Sequence, residues 1–185
     1  MADGAVLETC VLIPMSLGDV LLRAAQRDLY RARWSEPILA EVERNLVKLA
    51  VPPDKAARRV AAMRRAFARA EVTGFHDLIE QMSNHRKDRH VLAAAVHAGA
   101  KAIVTFNIKD FQTRHAAQAQ VRAVHPDAFL VDLYALYPED MVAIIGAQAA
   151  ALVRYGRHWS AHDVLDSLDR QGCRHFIALL RPHIR

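Results

Sequence analysis

The chain has 185 residues, with 25 Lys and Arg against 20 Asp and Glu and a formal net charge of +5. That length suits one compact domain, or one domain with a short helical appendage, and excludes two large domains. Hydrophobic residues at 52% and charged residues at 24% exclude a disordered or fibrous chain and indicate a globule with an ordinary core.

The excess of basic charge favours a polyanionic partner without demanding one. Cys10 and Cys173 stand far apart and show no CxxC or Cys/His spacing. Neither a disulfide framework nor a structural zinc site is therefore the default, and a reducing cytoplasm is the expected location. No basic segment opens the chain, and its first apolar stretch is broken by Glu8. The apolar run from Val142 to Val153 is too short to span a bilayer, so neither export nor membrane insertion is expected.

In chain order, Ala5-Val6-Leu7 predicts a short buried strand that ends at the polar pair Glu8-Thr9. Val20, Leu21 and Ala24 recur at helical spacing within 17–27. Trp34-Ser35-Glu36-Pro37 predicts a helix start, with Ser35 as cap and Pro37 in the first turn. Leu39, Val42, Leu46 and Leu49 then form one apolar stripe, while Glu41 and Asn45 share an adjoining face. After Pro52-Pro53-Asp54 another helix is expected. It buries Ala56, Val60, Met63 and Phe67 and exposes Lys55, Arg58, Arg59, Arg64, Arg65 and Arg69.

Residues 75–86 are irregular and polar. Asp88 opens the almost wholly apolar run Val91–Val96, which Gly99 closes as a helix-ending glycine. Ala102-Ile103-Val104 predicts a second core strand leading into Thr105-Phe106-Asn107, and Val121–Val124 a third. Strands separated by helices imply an α/β domain with a mostly parallel sheet. Beyond Pro138 only helical patterns remain, at roughly 139–155, 161–171 and 173–181. The expected division is a domain over 1–135 and a helical extension over 136–185.

In an open parallel sheet, ligands bind beyond the carboxyl ends of the strands. Glu8 and Asn107 both fall there. Asp110 follows Asn107 by about one helical turn, Asp88 begins the buried helix before the second strand, and Glu41 can join from its own helix. Clustered carboxylates repel one another unless a cation neutralises them, and a set of hard oxygen donors points to magnesium or manganese. Each residue also has a plainer use: Asp88 as an N-cap, Glu41 as the partner of Arg44 or Asn45, Asp110 as a turn residue. Glu8 is the hardest to explain without a partner, because a carboxylate just off a buried strand is costly. His85 and His90 lie near Asp88 but make no dyad or zinc spacing. Trp34 and Trp159 read as packing residues rather than stacking platforms.

The order of these segments resembles the PIN-domain family. It runs through Val6-Leu7-Glu8-Thr9, Ile38-Leu39-Ala40-Glu41-Val42, Asp88-Arg89-His90-Val91-Leu92-Ala93-Ala94-Ala95 and Val104-Thr105-Phe106-Asn107-Ile108-Lys109-Asp110-Phe111. The last two are the specific part, similar to the family's acidic helix start followed by a T-x-N-x-x-D-F strand exit. The match covers roughly 4–132 and is best to the bacterial VapC-type toxins.

This resemblance implies a three-layer α/β domain and a magnesium- or manganese-dependent endoribonuclease that leaves a 5′-phosphate. It implies Glu8, Glu41, Asp88 and Asp110 as catalytic residues, the same four with Asn107 as metal ligands, and Thr105 and Asn45 in support. Arg58, Arg65, Lys87, Arg89 and Lys109 would contact RNA phosphates. The implied partners are RNA, a cognate antitoxin and a second copy of the chain. The departure is Glu8, where the family has aspartate. One extra methylene displaces the carboxylate in a fixed pocket, so attenuated activity is expected. Two rivals remain: a PIN nuclease of RNA processing outside any toxin pair, and a non-catalytic PIN module that binds RNA or protein. A nucleotide-binding Rossmann fold is disfavoured, because no glycine-rich loop follows the first strand.

Overall fold

The computed structural model describes residues 4–154 and 158–184. These divide into two compact units, one formed by 1–13 with 30–125 and the other by 14–29 with 126–185.

The first unit is built on a five-stranded sheet in the order β3-β2-β1-β4-β5. Its strands are β1 (Gly4–Leu7), β2 (Arg31–Ser35), β3 (Glu71–Val72), β4 (Ala102–Val104) and β5 (Arg122–Val124). Every pairing is parallel, with Leu7 beside Val104 and Val6 beside Arg33. Helices flank it: α1 (Thr9–Leu12), α3 (Glu36–Lys48), α4 (Pro53–Ala66), α5 (Arg89–His97) and α6 (Arg114–Gln118). The α/β class and parallel sheet expected from the sequence are present.

Two strands escape sequence reading. In β2, Arg31 and Arg33 alternate with buried Ala32 and Trp34, so the period is that of a half-buried strand but two arginines hide it. β3 has only two residues, too few for any period. The helix start at Glu36 with Pro in the first turn is where expected, yet Ser35 makes no side-chain cap bond. Its hydroxyl is buried without a partner. Gly99 ends α5 at φ +60°, donating its N–H to Val96 O while Ala100 N–H reaches Ala95 O. Left-handed backbone of this kind favours glycine.

Trp34 is wholly buried and meets Phe67 edge-on, with ring centroids 5.6 Å apart. The core also buries Leu7, Leu12, Ile38, Leu39, Leu92, Ile103, Phe75 and Phe111. α5 packs on β1, β2 and β4, which is why a helix apolar almost all round is stable there.

The second unit is helical: α2 (Met15–Gln26), α7 (Pro126–Leu136), α8 (Pro138–Arg154), α9 (Ala161–Arg170) and α10 (Arg174–Leu180). Residue 155, the expected end of the long tail helix, lies outside the described residues. Ser16 Oγ donates to Ser167 Oγ at 2.7 Å, and Gln148 Nε2 to Ser16 O at 3.1 Å. No helix among the described residues is long and apolar enough to cross a membrane.

Asp127 ties this unit together. Its Oδ1 accepts the Phe176 N–H at 2.9 Å, and its Oδ2 accepts the His175 N–H at 3.2 Å and lies 2.6 Å from His175 Nδ1. Burial alone would raise its carboxyl, but these bonds hold it below the usual carboxylate range. A depressed folded value means the ionised group contributes stability above the unfolded pKa of about 3.9, lost as pH falls through the folded value. Asp127→Ala leaves the buried Phe176 N–H and the partly buried His175 N–H without this acceptor and is expected to destabilise the chain by about 1–3 kcal/mol. Urea unfolding checks this, with the penalty expected at pH 7 and shrinking in acid.

Candidate metal and nucleic-acid site

The strand order reverses between β1 and β4, the kind of crevice where open parallel sheets bind ligands. Glu8 and Thr105 are the first residues past these two strands. Glu8 N–H bonds Val104 O at 3.2 Å and Thr105 N–H bonds Val124 O at 3.0 Å, so the ladder itself places the two side chains next to each other. Thr105 Oγ1 donates to Glu8 Oε2 at 2.8 Å, and Cys10 Sγ donates to the same oxygen at 2.6 Å. Both Glu8 and Thr105 are buried. Burial, then the Glu8 charge, push the Cys10 thiol up to about 12, so it stays a donor.

Asp88 ends a 3₁₀ turn over Arg86–Asp88 and stands at the N-cap of α5, yet its side chain makes no capping bond. Its carboxyl is 13% exposed, with Oδ2 buried and without a hydrogen-bond partner. Burial raises its pKa; the charges of Asp110 and Glu8 raise it further, against Lys87 and His85. The ordinary capping use of an aspartate at this position is therefore set aside. Asp88 thus stands within the field of both Glu8 and Asp110.

Asp110 lies in the 3₁₀ turn Ile108–Phe111, whose N-cap is Asn107. Thr105 Oγ1 accepts the Asn107 N–H at 2.9 Å, and Asn107 O accepts the Asp110 N–H at 3.1 Å. One threonine thus both holds Glu8 and shapes the loop that carries Asn107 and Asp110.

Glu41 is held differently. Thr9 Oγ1 donates to its Oε2 at 2.9 Å, and His90 Nε2 lies 3.4 Å and Arg44 3.8 Å from its Oε1. Burial would raise its carboxyl; the bonds from His90 and Thr9 override this and hold it below its ordinary value. Asn45 follows one turn later on α3, half-buried. Among the predicted phosphate contacts, Arg65, Lys87 and Lys109 are exposed. Arg58 pairs with Asp54 at 2.8 Å and Arg89 with Glu80 at 3.3 Å. Sequence reasoning overlooked Thr9 and Cys10 and discounted His90. The available signal was their closeness to Glu8 and Asp88 in the chain.

A hard divalent cation fits this donor set by chemistry: all the groups are oxygens, and one buried Asp88 oxygen makes no hydrogen bond, with only His85 Nδ1 at 4.0 Å beside it. The donors are not already gathered. Among the described residues, no group of three or more His, Cys, Asp or Glu side chains stands ready to hold a metal ion. Carboxylates without a counterion repel one another, and Glu8 Oε2 is turned to its two donors.

A model of the VapC50 C-terminal domain matches residues 126–182. The curated protein named "Putative ribonuclease VapC50" from Mycobacterium tuberculosis is 44% identical over 98 residues, 53% of this chain and 57% of that protein. The matched stretch thus spans little more than half of the relative. No solved structure matches the chain. A PIN-domain model matches residues 4–109, more than half of the chain and the span that holds Glu8, Glu41, Asp88, Thr105 and Asn107, so the chain belongs to the PIN-domain family.

Proposed function

We propose that this protein is an endoribonuclease of the VapC type, cutting RNA phosphodiesters with magnesium or manganese and leaving a 5′-phosphate. The observation that carries this reading is Asp88: a carboxylate at a helix start that does not cap the helix, keeps a buried oxygen without a hydrogen bond, its contact being His85 Nδ1 at 4.0 Å, and lies in the field of Glu8 and Asp110. When bound, a divalent cation supplies a water of lowered pKa and positive charge for the oxygens of the scissile phosphate.

The protein's own groups do the rest. Glu8, Asp88 and Asp110 would hold the cation, with Asn107 completing the pocket and Glu41 contributing from α3. Thr105 fixes the Glu8 carboxylate and Asn45 stands in support of Glu41. Arg58, Arg65, Lys87, Arg89 and Lys109 would neutralise phosphates along the RNA and set its register on the acidic centre, carrying no base information. A cognate antitoxin, a homodimer and a cytoplasmic location complete the proposal, with 136–185 as the helical extension.

Purified protein incubated with total RNA tests it. Cleavage is expected with manganese or magnesium, giving ends that a 5′-phosphate-dependent exonuclease degrades, and none with chelator. Silence under every metal condition would reject the nuclease and leave the binding module. A short antitoxin-like reading frame beside the gene separates a toxin from an RNA-processing nuclease.

A further inference from the structure

The Glu8 carboxylate is held by more than its strand neighbour. Cys10 lies in α1, two residues after Glu8, and its Sγ donates to Glu8 Oε2 at 2.6 Å while Thr105 Oγ1 donates to the same oxygen at 2.8 Å. The sulfur is itself anchored: the Phe106 N–H, just past β4, donates to it at 3.3 Å, and Thr105 Oγ1 stands 3.7 Å away. A relay therefore runs from a backbone N–H through the thiol to one carboxylate oxygen. Donors aimed at the metal-distal oxygen of a ligand fix its orientation and tune its basicity.

We propose that Cys10 is a positioning residue for Glu8: with Thr105 it binds Oε2 and leaves Oε1 as the single oxygen presented to a cation. This rests on the reading of Glu8 as a metal ligand. The thiol, in the first turn after β1, and the Thr105 hydroxyl converge on that one oxygen. The plain alternative is that Cys10 is a small apolar filler, which buried thiols commonly are.

Two readouts on the full chain, freed of metal by chelation, separate these. The first is the infrared S–H stretch, a band assigned to Cys10 by its loss in Cys10→Ser. A carboxylate-bound thiol absorbs at lower wavenumber than a free one, so the band is expected low and expected to rise in Glu8→Gln. A band at the free position in the parent protein overturns the proposal, and this measurement requires no variant to bind metal.

The second is manganese affinity by calorimetry. Cys10→Ala is expected to weaken binding by about tenfold to a hundredfold, and Cys10→Ser, which keeps a donor, to recover most of it. The penalty of Cys10→Ala should shrink sharply in a Glu8→Ala background, where the thiol has no carboxylate to hold. Unchanged affinity in Cys10→Ala, beside a clear loss in Glu8→Ala, overturns the positioning role and leaves the metal site standing. Unchanged affinity in Glu8→Ala removes Glu8 as a ligand, and the proposal with it.

Discussion

Asp88→Asn is expected to slow metal-dependent RNA cleavage by about a hundredfold to a thousandfold, because it takes one charged oxygen from a contact worth several kcal/mol at about 1.4 kcal/mol per tenfold. Stability should move the other way. In the metal-free protein the Asp88 carboxyl is raised, first by burial and then by Asp110 and Glu8. The folded chain thus holds this proton more tightly than the unfolded chain. Stability from this group is complete below the unfolded carboxylate value of about 3.9 and declines as pH rises through the raised folded value.

Asparagine cannot ionise and escapes that decline. The melting temperature of Asp88→Asn relative to the parent, in chelator, should therefore be higher at pH 7 than at pH 4. Saturating manganese should reverse the order by stabilising the parent alone. Scanning calorimetry with and without metal checks both points. Full cleavage by Asp88→Asn, or a difference in melting temperature that ignores pH, would count against the role given to Asp88.

Trp34→Ala is expected to cost about 3–5 kcal/mol, the range for emptying a large aromatic from a close-packed core. The ring is wholly buried on β2 and rests edge-on against Phe67, so neighbours on both strand and helix would have to collapse into the gap. Its indole Nε1 has no hydrogen-bond partner, which offers a second comparison. Trp34→Phe loses less area and removes that unpaired donor, whose burial costs about 1–3 kcal/mol. It should therefore be far milder than alanine. Urea unfolding followed by circular dichroism measures the two, and equal penalties would show that packing around the ring does not control this unit.

Much of the first unit can be read along the chain. β1 and β4 are apolar runs bounded by polar residues, β5 is a short Val-Arg-Ala-Val stretch, and α3, α4 and α5 carry either a clear stripe or a run closed by Gly99. β2 and β3 are hidden because two arginines interrupt one and the other is two residues long. Helix α7 is hidden for the opposite reason: Ala128, Phe129, Leu130 and Val131 are consecutively apolar, so no face stands out. Residues 14–29 also cluster with the tail helices in one compact unit, which no local pattern announces. Such grouping depends on contacts between segments far apart in the chain.

Along the chain one can read which chemistry is on offer: an acid at a strand exit, a second at a helix start and a basic helix, each recognisable from a local period or spacing, and the Thr105–Phe111 run, recognisable from its resemblance to the PIN family. The tertiary structure decided how those groups are used. Parallel pairing of β1 with β4 sets Thr105 beside Glu8, the turn before α5 leaves Asp88 uncapping with one carboxylate oxygen buried, and the first turn after β1 brings Cys10 onto the Glu8 oxygen. These are side-chain hydrogen bonds and desolvation across the sheet edge, fixed by three-dimensional register rather than by spacing along the chain.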